Sequence, residues 1–472
     1  MGKVIYAYRH HSFHGPSPLS QELVGRWANM TQAQLSRIEN GKPIHDLRKL
    51  VYWGQTLGIP AKYLWFDLPG CRRRDGQAAS LTNGSCPAPV PACSTGVLVR
   101  PNGLPWVWNE TQIVQALSEL ARSELMSNRR ETVKGMAVIV GAALTEPLHR
   151  WLDPKSMASL TSMRSAAGPI SEEEVELIEA AARVFRNWDD QYGAGLGRKA
   201  VIGQLYEATD LLHERHPAHL TRRLFAATAE LAKTAGSMSW DAGLHASAQR
   251  YYVLAVQAAK AGGDQLLAAN VLASMARQML DLGHADDALD LIHSAQYGSR
   301  KSASARLRAM LYTREAWAYA KLGHVQAFHR AVGLAEYAFA EADPAEDPYW
   351  IDYFDDAELA GVIGARYRDL ARHDPRQARR SESRILEALR LRPVNRVRNR
   401  AFDLTGLART YLIQGQVDGV CEVAAQALPL AKRLGSRRIL DRLADLSQEA
   451  APYSGVAAVC DLRERIADVL RV

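Results

Sequence analysis

The chain has 472 residues, about three times the roughly 150 of one ordinary domain. It is 47% hydrophobic and 23% charged, which excludes a disordered chain. All of its net charge of +7 falls in residues 1–74, which hold 11 Lys and Arg against 4 Asp and Glu, while the remainder holds 47 of each. A basic head on a neutral body points to a polyanion partner, nucleic acid ahead of membrane. The longest apolar run, Gly135–Leu144, is far too short to span a bilayer, and the N-terminus lacks the apolar core of a secretory signal. Five cysteines make no disulfide framework, so a reducing, cytoplasmic setting is expected. Cys71, Cys86 and Cys93 match no zinc spacing and read as linker thiols.

Residues 1–70 read as short helices. Thr31 is a good N-cap for a helix in which Leu35 and Ile38 face inward, and Asn40-Gly41 ends it. Gln32, Ala33, Gln34 and Arg37 lie opposite the apolar face. Their chemistries suit a DNA groove: glutamine can pair with adenine, arginine with guanine, and a methyl can meet the thymine methyl. Leu47, Leu50, Val51, Leu57, Ile59, Leu64, Trp65 and Phe66 supply a core for two further helices. Residues 71–105, with Pro87-Ala-Pro-Val-Pro91 and Pro101-Asn-Gly103, cannot bury a core and read as a flexible linker.

From Trp106 onward helical periodicity dominates, and no alternating segment is long enough for a strand, so the fold class is all-α. In a helical segment over 106–225, Ile113, Leu117, Leu120 and Leu125 mark one amphipathic stretch. Ser171-Glu-Glu-Glu174 is a capping box before a second, with Val175, Ile178, Ala182 and Phe185 on one face. Residues 226–472 repeat. Gly243, Gly283 and Gly323 are 40 residues apart, followed in register by Ala248, Ala288 and Phe328, by Tyr252, Ile292 and Val332, and by Ala255, Ala295 and Ala335. A fourth copy surrounds Gly415, with Ala408, Tyr411, Val420, Ala424 and Ala427. This is the tetratricopeptide pattern of small residues where antiparallel helices touch, and it predicts an α-solenoid with a concave surface; a helical bundle with coincident glycine spacing is the alternative. If the first helix of each pair lines the concave face, Asn270, Arg277, Thr313, Trp317, Thr405 and Arg409 are the candidate ligand contacts.

The segment Thr31-Gln-Ala-Gln-Leu-Ser-Arg-Ile-Glu-Asn-Gly41, followed by Leu57-Gly-Ile-Pro60 and a Leu-Trp-Phe segment, resembles the repressor-type helix-turn-helix of the XRE family over about residues 3–68. The resemblance implies a five-helix DNA-binding head in which Thr31, Gln32, Ala33 and Arg37 reach base edges. It also implies that Asn40 and Lys42 hold phosphates and that Ser20 and Gln21 meet the backbone. Two features depart from the family: the turn Gly25–Met30 is one residue longer than usual, and His10–Pro18 is an insertion after the first helix. With its long repeat body, the layout is similar to a group of actinobacterial regulators. The segments that carry this likeness are Tyr192-Gly-Ala-Gly-Leu-Gly-Arg198, Trp240-Asp-Ala-Gly-Leu-His245 with Arg250-Tyr251, and Trp350-Ile-Asp-Tyr-Phe-Asp-Asp-Ala-Glu-Leu359. More loosely, it is similar to the peptide-pheromone-sensing regulators of Gram-positive bacteria, a likeness of layout only.

Catalytic signals are weak. His213-Glu-Arg-His216 is one residue short of the zinc-protease spacing, and Gly193-Ala-Gly-Leu-Gly197 reads better as a helix–helix connection than as a phosphate loop. Arg376–Arg400 holds nine arginines. A solvated helix face is its leading reading, a second nucleic-acid or subunit contact the alternative, and the acidic stretch Asp343–Glu358 an economical partner for it. The sequence therefore predicts a cytoplasmic transcriptional regulator, not an enzyme and without a cofactor. It would bind a double-stranded DNA operator as a homodimer, take a small-molecule or peptide effector and have no membrane partner. The rival is a protein–protein scaffold whose head has lost DNA binding.

Overall fold

The computed structural model describes residues 2–10, 18, 20–22, 24, 30–40, 108–126, 138–152, 170–193, 197–434 and 436–471. Among these residues the fold is helical, with no strand. The chain divides into two compact units, Met1–Thr95 and Gly96–Val472. The expected linker 71–105, the core residues Leu47–Phe66, Gly41, Lys42 and the three clustered cysteines lie outside the described residues.

In the first unit, α1 (Gly2–Arg9) packs on α2 (Gln32–Glu39). The start of α2 is fixed by a reciprocal cap. Thr31 Oγ1 accepts from the Gln34 amide at 3.3 Å, and Gln34 Oε1 accepts from the Thr31 amide at 3.0 Å. Its apolar side is Leu35 and Ile38, both buried, as are Ile5 and Val24. Gly2 lies so close to the Ile38 carbonyl that a Cβ there would collide with it.

The second unit begins with α3 (Glu110–Met126), α4 (Ala142–Leu148), α5 (Glu172–Tyr192) and α6 (Gly197–Leu211). In α3, Ile113, Leu117 and Leu120 are buried, but Leu125 is exposed. The inward position one helical turn beyond Leu120 is Glu124, 7% exposed and ion-paired with Arg198. The apolar stripe thus ends in a buried charge, which the expectation of Leu125 overlooked. The capping box of α5 forms as its sequence predicts: Glu174 accepts from the Ser171 amide at 2.8 Å, and these bonds hold its carboxyl below the usual range. Val175, Ile178 and Ala182 are buried beneath it, and Phe185 is half-buried.

Six helix pairs follow in series. They are α7 (Ala218–Asp241) with α8 (His245–Ala261), α9 (Gln265–Asp281) with α10 (Ala285–Ser299), and α11 (Ala305–Leu322) with α12 (Val325–Ala340). Then come α13 (Asp356–Ala371) with α14 (Ala378–Leu391), α15 (Val397–Ile413) with α16 (Val417–Leu434), and α17 (Arg437–Glu449) with α18 (Ala457–Arg471). Helix α7 runs across residue 225, where the sequence reading divided the two helical segments. Asp264, Ser304 and Asp355 cap α9, α11 and α13 by accepting from the amide three residues on. Gly283 and Gly323 turn α9 into α10 and α11 into α12 with φ of 88° and 71°, a left-handed backbone that a side chain would strain. The seam of each pair is built of small or flat residues: Ala248, Ala255, Ala288, Ala295, Phe328 and Ala335 are fully buried. First helices of successive pairs, α7 through α17, also touch one another and form a continuous inner layer.

Candidate functional site: an arginine-lined cavity and an exposed helix face

The inner layer surrounds a cavity of about 180 Å³ whose wall carries nine cationic side chains against four carboxylates. Eight of the nine are arginines, seven of them on helices and Arg392 at the C-terminal cap of α14. Their ion pairs fall into three kinds. Arg392, Arg398 and Arg409 each have two carboxylates. Arg392 meets Asp403 at 2.6 Å and Glu358 at 3.1 Å; Arg398 meets Asp241 at 2.6 Å and Asp189 at 4.0 Å; Arg409 pairs with Glu449 and Asp445. Arg366 and Arg368 share Asp369, at 3.3 and 2.9 Å, and Arg438 and Arg442 share Asp281, at 3.7 and 2.7 Å, Arg442 also meeting the half-exposed Asp445 at 3.7 Å. Arg277 and Lys233 have no ion pair among the described residues, and neither does Arg314, which is buried just behind the wall.

Aromatic faces hold the under-compensated arginines flat. The Arg366 guanidinium stands 3.5 Å from the Trp317 ring centre and that of Arg438 3.8 Å from Trp240, with Arg277 at 5.3 Å from the same Trp240 ring. The Nε atoms of Arg277, Arg366 and Arg438 and the indole Nε1 of Trp317 are buried without a hydrogen-bond partner. Three glycines make room for the guanidinium groups. A Cβ on Gly361 would come within 2.7 Å of Arg392 Nη2, one on Gly406 within 3.1 Å of Arg368 Nη1, and one on Gly193 within 3.4 Å of Arg398 Nε and 2.4 Å of Asp241.

The charges register this segregation. Burial, with Arg314 and Arg368 nearby, pulls Arg366 down to about 9 despite Asp369, and burial with Arg277 pulls Arg314 and Arg438 down to about 10. Burial opposes ionisation of Asp369, but Arg368 and Arg366 outweigh it and hold its carboxyl well below the usual range. Glu358 is held low in the same way by Arg392, Arg314 and Arg277. Asp189 is the reverse case: burial, helped by Asp190 and Asp241, pushes it up to about 6 against Arg398.

Of the ligand contacts expected from repeat geometry, Arg277, Trp317, Thr405 and Arg409 line the cavity. Asn270 and Thr313 are not among its lining residues; Thr313 Oγ1 donates to the Met310 carbonyl of its own helix at 2.7 Å. Sequence reasoning missed Trp240, Arg366, Arg368, Arg398, Arg438 and Arg442. It also misassigned part of Arg376–Arg400 as solvated. Arg376 is exposed, but Arg392 and Arg398 are buried in the wall, because each finds two carboxylates there. Glu358 of the acidic stretch does pair with Arg392, whereas Asp347 pairs with Arg306 at 2.7 Å. His216 is structural: its ring accepts from the Ile170 amide and bonds the Leu211 carbonyl.

In the first unit, Gln32, Ala33, Gln34 and Arg37 are exposed on α2, and Arg37 makes no ion pair among the described residues. Ser20 and Asn40 are exposed as well, whereas Gln21 donates to Glu39 at 2.7 Å. Glu39 also takes two bonds from Arg9, so the inner edge of α2 is tied to α1 and its outer edge is left open. No family model matches the chain, and no curated protein is similar to it in sequence.

Proposed function

We propose that the protein is a sequence-specific double-stranded DNA-binding transcriptional regulator whose helical body binds an effector and joins two copies. The observation that carries this reading is α2. Its cap and the buried Leu35 and Ile38 anchor one side, while Gln32, Ala33 and Arg37 stand free on the other, within a segment holding the whole +7 charge of the chain. An anchored helix with an open Gln/Arg edge suits major-groove reading, and a basic surround supplies phosphate attraction. In this reading the head is a helix-turn-helix, and two heads meet half-sites one helical turn apart, about 34 Å. The six helix pairs act as a tetratricopeptide-like solenoid. Its cavity is the place where an effector would act, by favouring one dimer arrangement over the other.

Selection of bound sequences from random duplexes tests the DNA-binding half. A defined motif is expected, and Arg37→Ala should relax one position of it and cost about 1–3 kcal/mol in binding. Binding that follows salt concentration alone, with no sequence preference, overturns the reading.

A further inference from the structure

We propose that the cavity of the helical body is a binding site for a small, multiply charged oxyanion, a phosphate ester or a polycarboxylate. This rests on the effector half of the function proposed above and not on its DNA-binding half. Three observations converge on it.

The first is the inventory of charge. Buried arginines in a purely structural network are expected to have their carboxylates in hand, because an unpaired buried charge is strongly destabilising. Arg392, Arg398 and Arg409 meet that expectation. Around Trp240 and Trp317 it fails: Arg366 and Arg368 share the single carboxylate of Asp369, Arg438 has only a share of Asp281 at 3.7 Å, and Arg277 and Lys233 have none among the described residues. The second is orientation. Stacking on an indole fixes a guanidinium plane, and the carboxylates Asp281 and Asp369 stand behind the wall while the arginines line it. A rigid, forked donor backed by a carboxylate is how proteins present Arg to phosphate and carboxylate oxygens. The third is the set of unused donors. The Nε atoms of Arg277 and Arg366 and the Nε1 of Trp317, itself 2% exposed, are buried without partners, and unsatisfied buried donors are rare unless something completes them.

The size of the cavity selects the kind of anion. A volume of about 180 Å³ is close to that of engineered cavities of roughly 150 Å³ that admit one benzene, so it takes a compact molecule rather than a peptide. Glu358, Asp189, Asp190 and Asp403 also line the wall, so the anion is expected against the cations that have no carboxylate of their own, Arg277 first. Burial, with neighbouring arginines adding to it, depresses the basicity of Arg366, Arg314 and Arg438, and a bound oxyanion would offset it.

The test uses the full chain without DNA, so a head that fails to bind an operator does not affect it. Thermal unfolding and calorimetry are run with inorganic pyrophosphate and with citrate, against chloride at matched ionic strength. A rise in Tm with saturable binding for either anion is expected; pyrophosphate alone assigns the phosphate class, citrate alone the carboxylate class. No shift from either at millimolar concentration overturns the proposal. Arg277→Met should weaken the bound anion about tenfold or more. It should also leave the unliganded protein about as heat-stable as the wild type, since no carboxylate is ion-paired with Arg277 and Glu358 keeps Arg392. Unchanged anion affinity in that variant overturns the assignment. Arg442→Gln, at a partly exposed position, is expected to weaken the same anion and serves if Arg277→Met does not fold.

Discussion

Ala288 and Arg277 lie on adjacent, packed helices, α10 and α9, yet they represent two ways of using an interior. Ala288 belongs to the seam of a helix pair, where a small side chain lets two backbones approach and apolar contact supplies the stability. Arg277 belongs to the inner wall, where guanidinium groups lie on indole faces and face a cavity. In the seam, contacts come mainly from the partner helix of the same pair or from the adjoining pair. On the wall, satisfaction depends on carboxylates from six different helices, and for several donors it is incomplete. A seam of this kind specifies a fold, whereas an incompletely satisfied wall specifies something to be bound.

Four substitutions probe that contrast, in decreasing order of effect. Phe328→Ala removes a fully buried seam ring that stands edge-on to Tyr367 at 5.0 Å, and should lower unfolding stability by about 3–5 kcal/mol in a denaturant titration. A loss below about 1 kcal/mol would mean the seam is loosely packed and the contrast is overdrawn.

Asp369→Asn deprives Arg366 and Arg368 of the carboxylate they share and should cost about 3 kcal/mol. Near-neutrality would show that these two arginines do not depend on it.

Asp189→Asn should act in the opposite direction. Its carboxyl titrates at about 6 in the folded chain, above the usual 3.8, so the folded state binds this proton the more tightly. The stability that the group contributes is therefore full under acid conditions and lost as pH rises through about 6. The asparagine variant should be more stable than the wild type by on the order of 2 kcal/mol at about pH 8, a gain that vanishes near pH 4. A gain that does not change with pH would contradict the assignment.

Thr31→Ala is the mildest. Losing the α2 cap should cost about 1 kcal/mol in the first unit and leave the anion response of the body untouched.

The seam was legible in the sequence because its signal is periodic: Gly243, Gly283 and Gly323, with Ala248, Ala288 and Phe328, recur at one spacing, and such recurrence follows from helix contact alone. The caps at Thr31 and Ser171 were equally plain, being local chemistry within four residues. A small part of the wall was visible through the same periodicity, which nominated Arg277, Trp317, Thr405 and Arg409. The rest was hidden for a physical reason. An arginine such as Arg398 reads as surface until its partners are known, and those partners, Asp189 and Asp241, lie far away in sequence. The only local trace was Gly193 and the Trp240-Asp241 pair, both within segments singled out for their likeness to other regulators. Leu125 fails for a related reason, since Glu124 takes the inward place only because Arg198 is there to meet it.

The clamp at Arg398 has a consequence for how the molecule comes apart. A row of helix pairs held by neighbour contacts is close to one-dimensional, so its ends can fray or melt independently of its middle. Arg398 on α15 bonds both the Asp189 carbonyl and Asp241, and Ser436 donates to that same Asp241, across 209, 157 and 195 residues of chain. These long closures couple the last helix pairs to the first, so that the row should melt as one cooperative unit. Severing them would let amide hydrogens in α17 and α18 exchange well before those in α9.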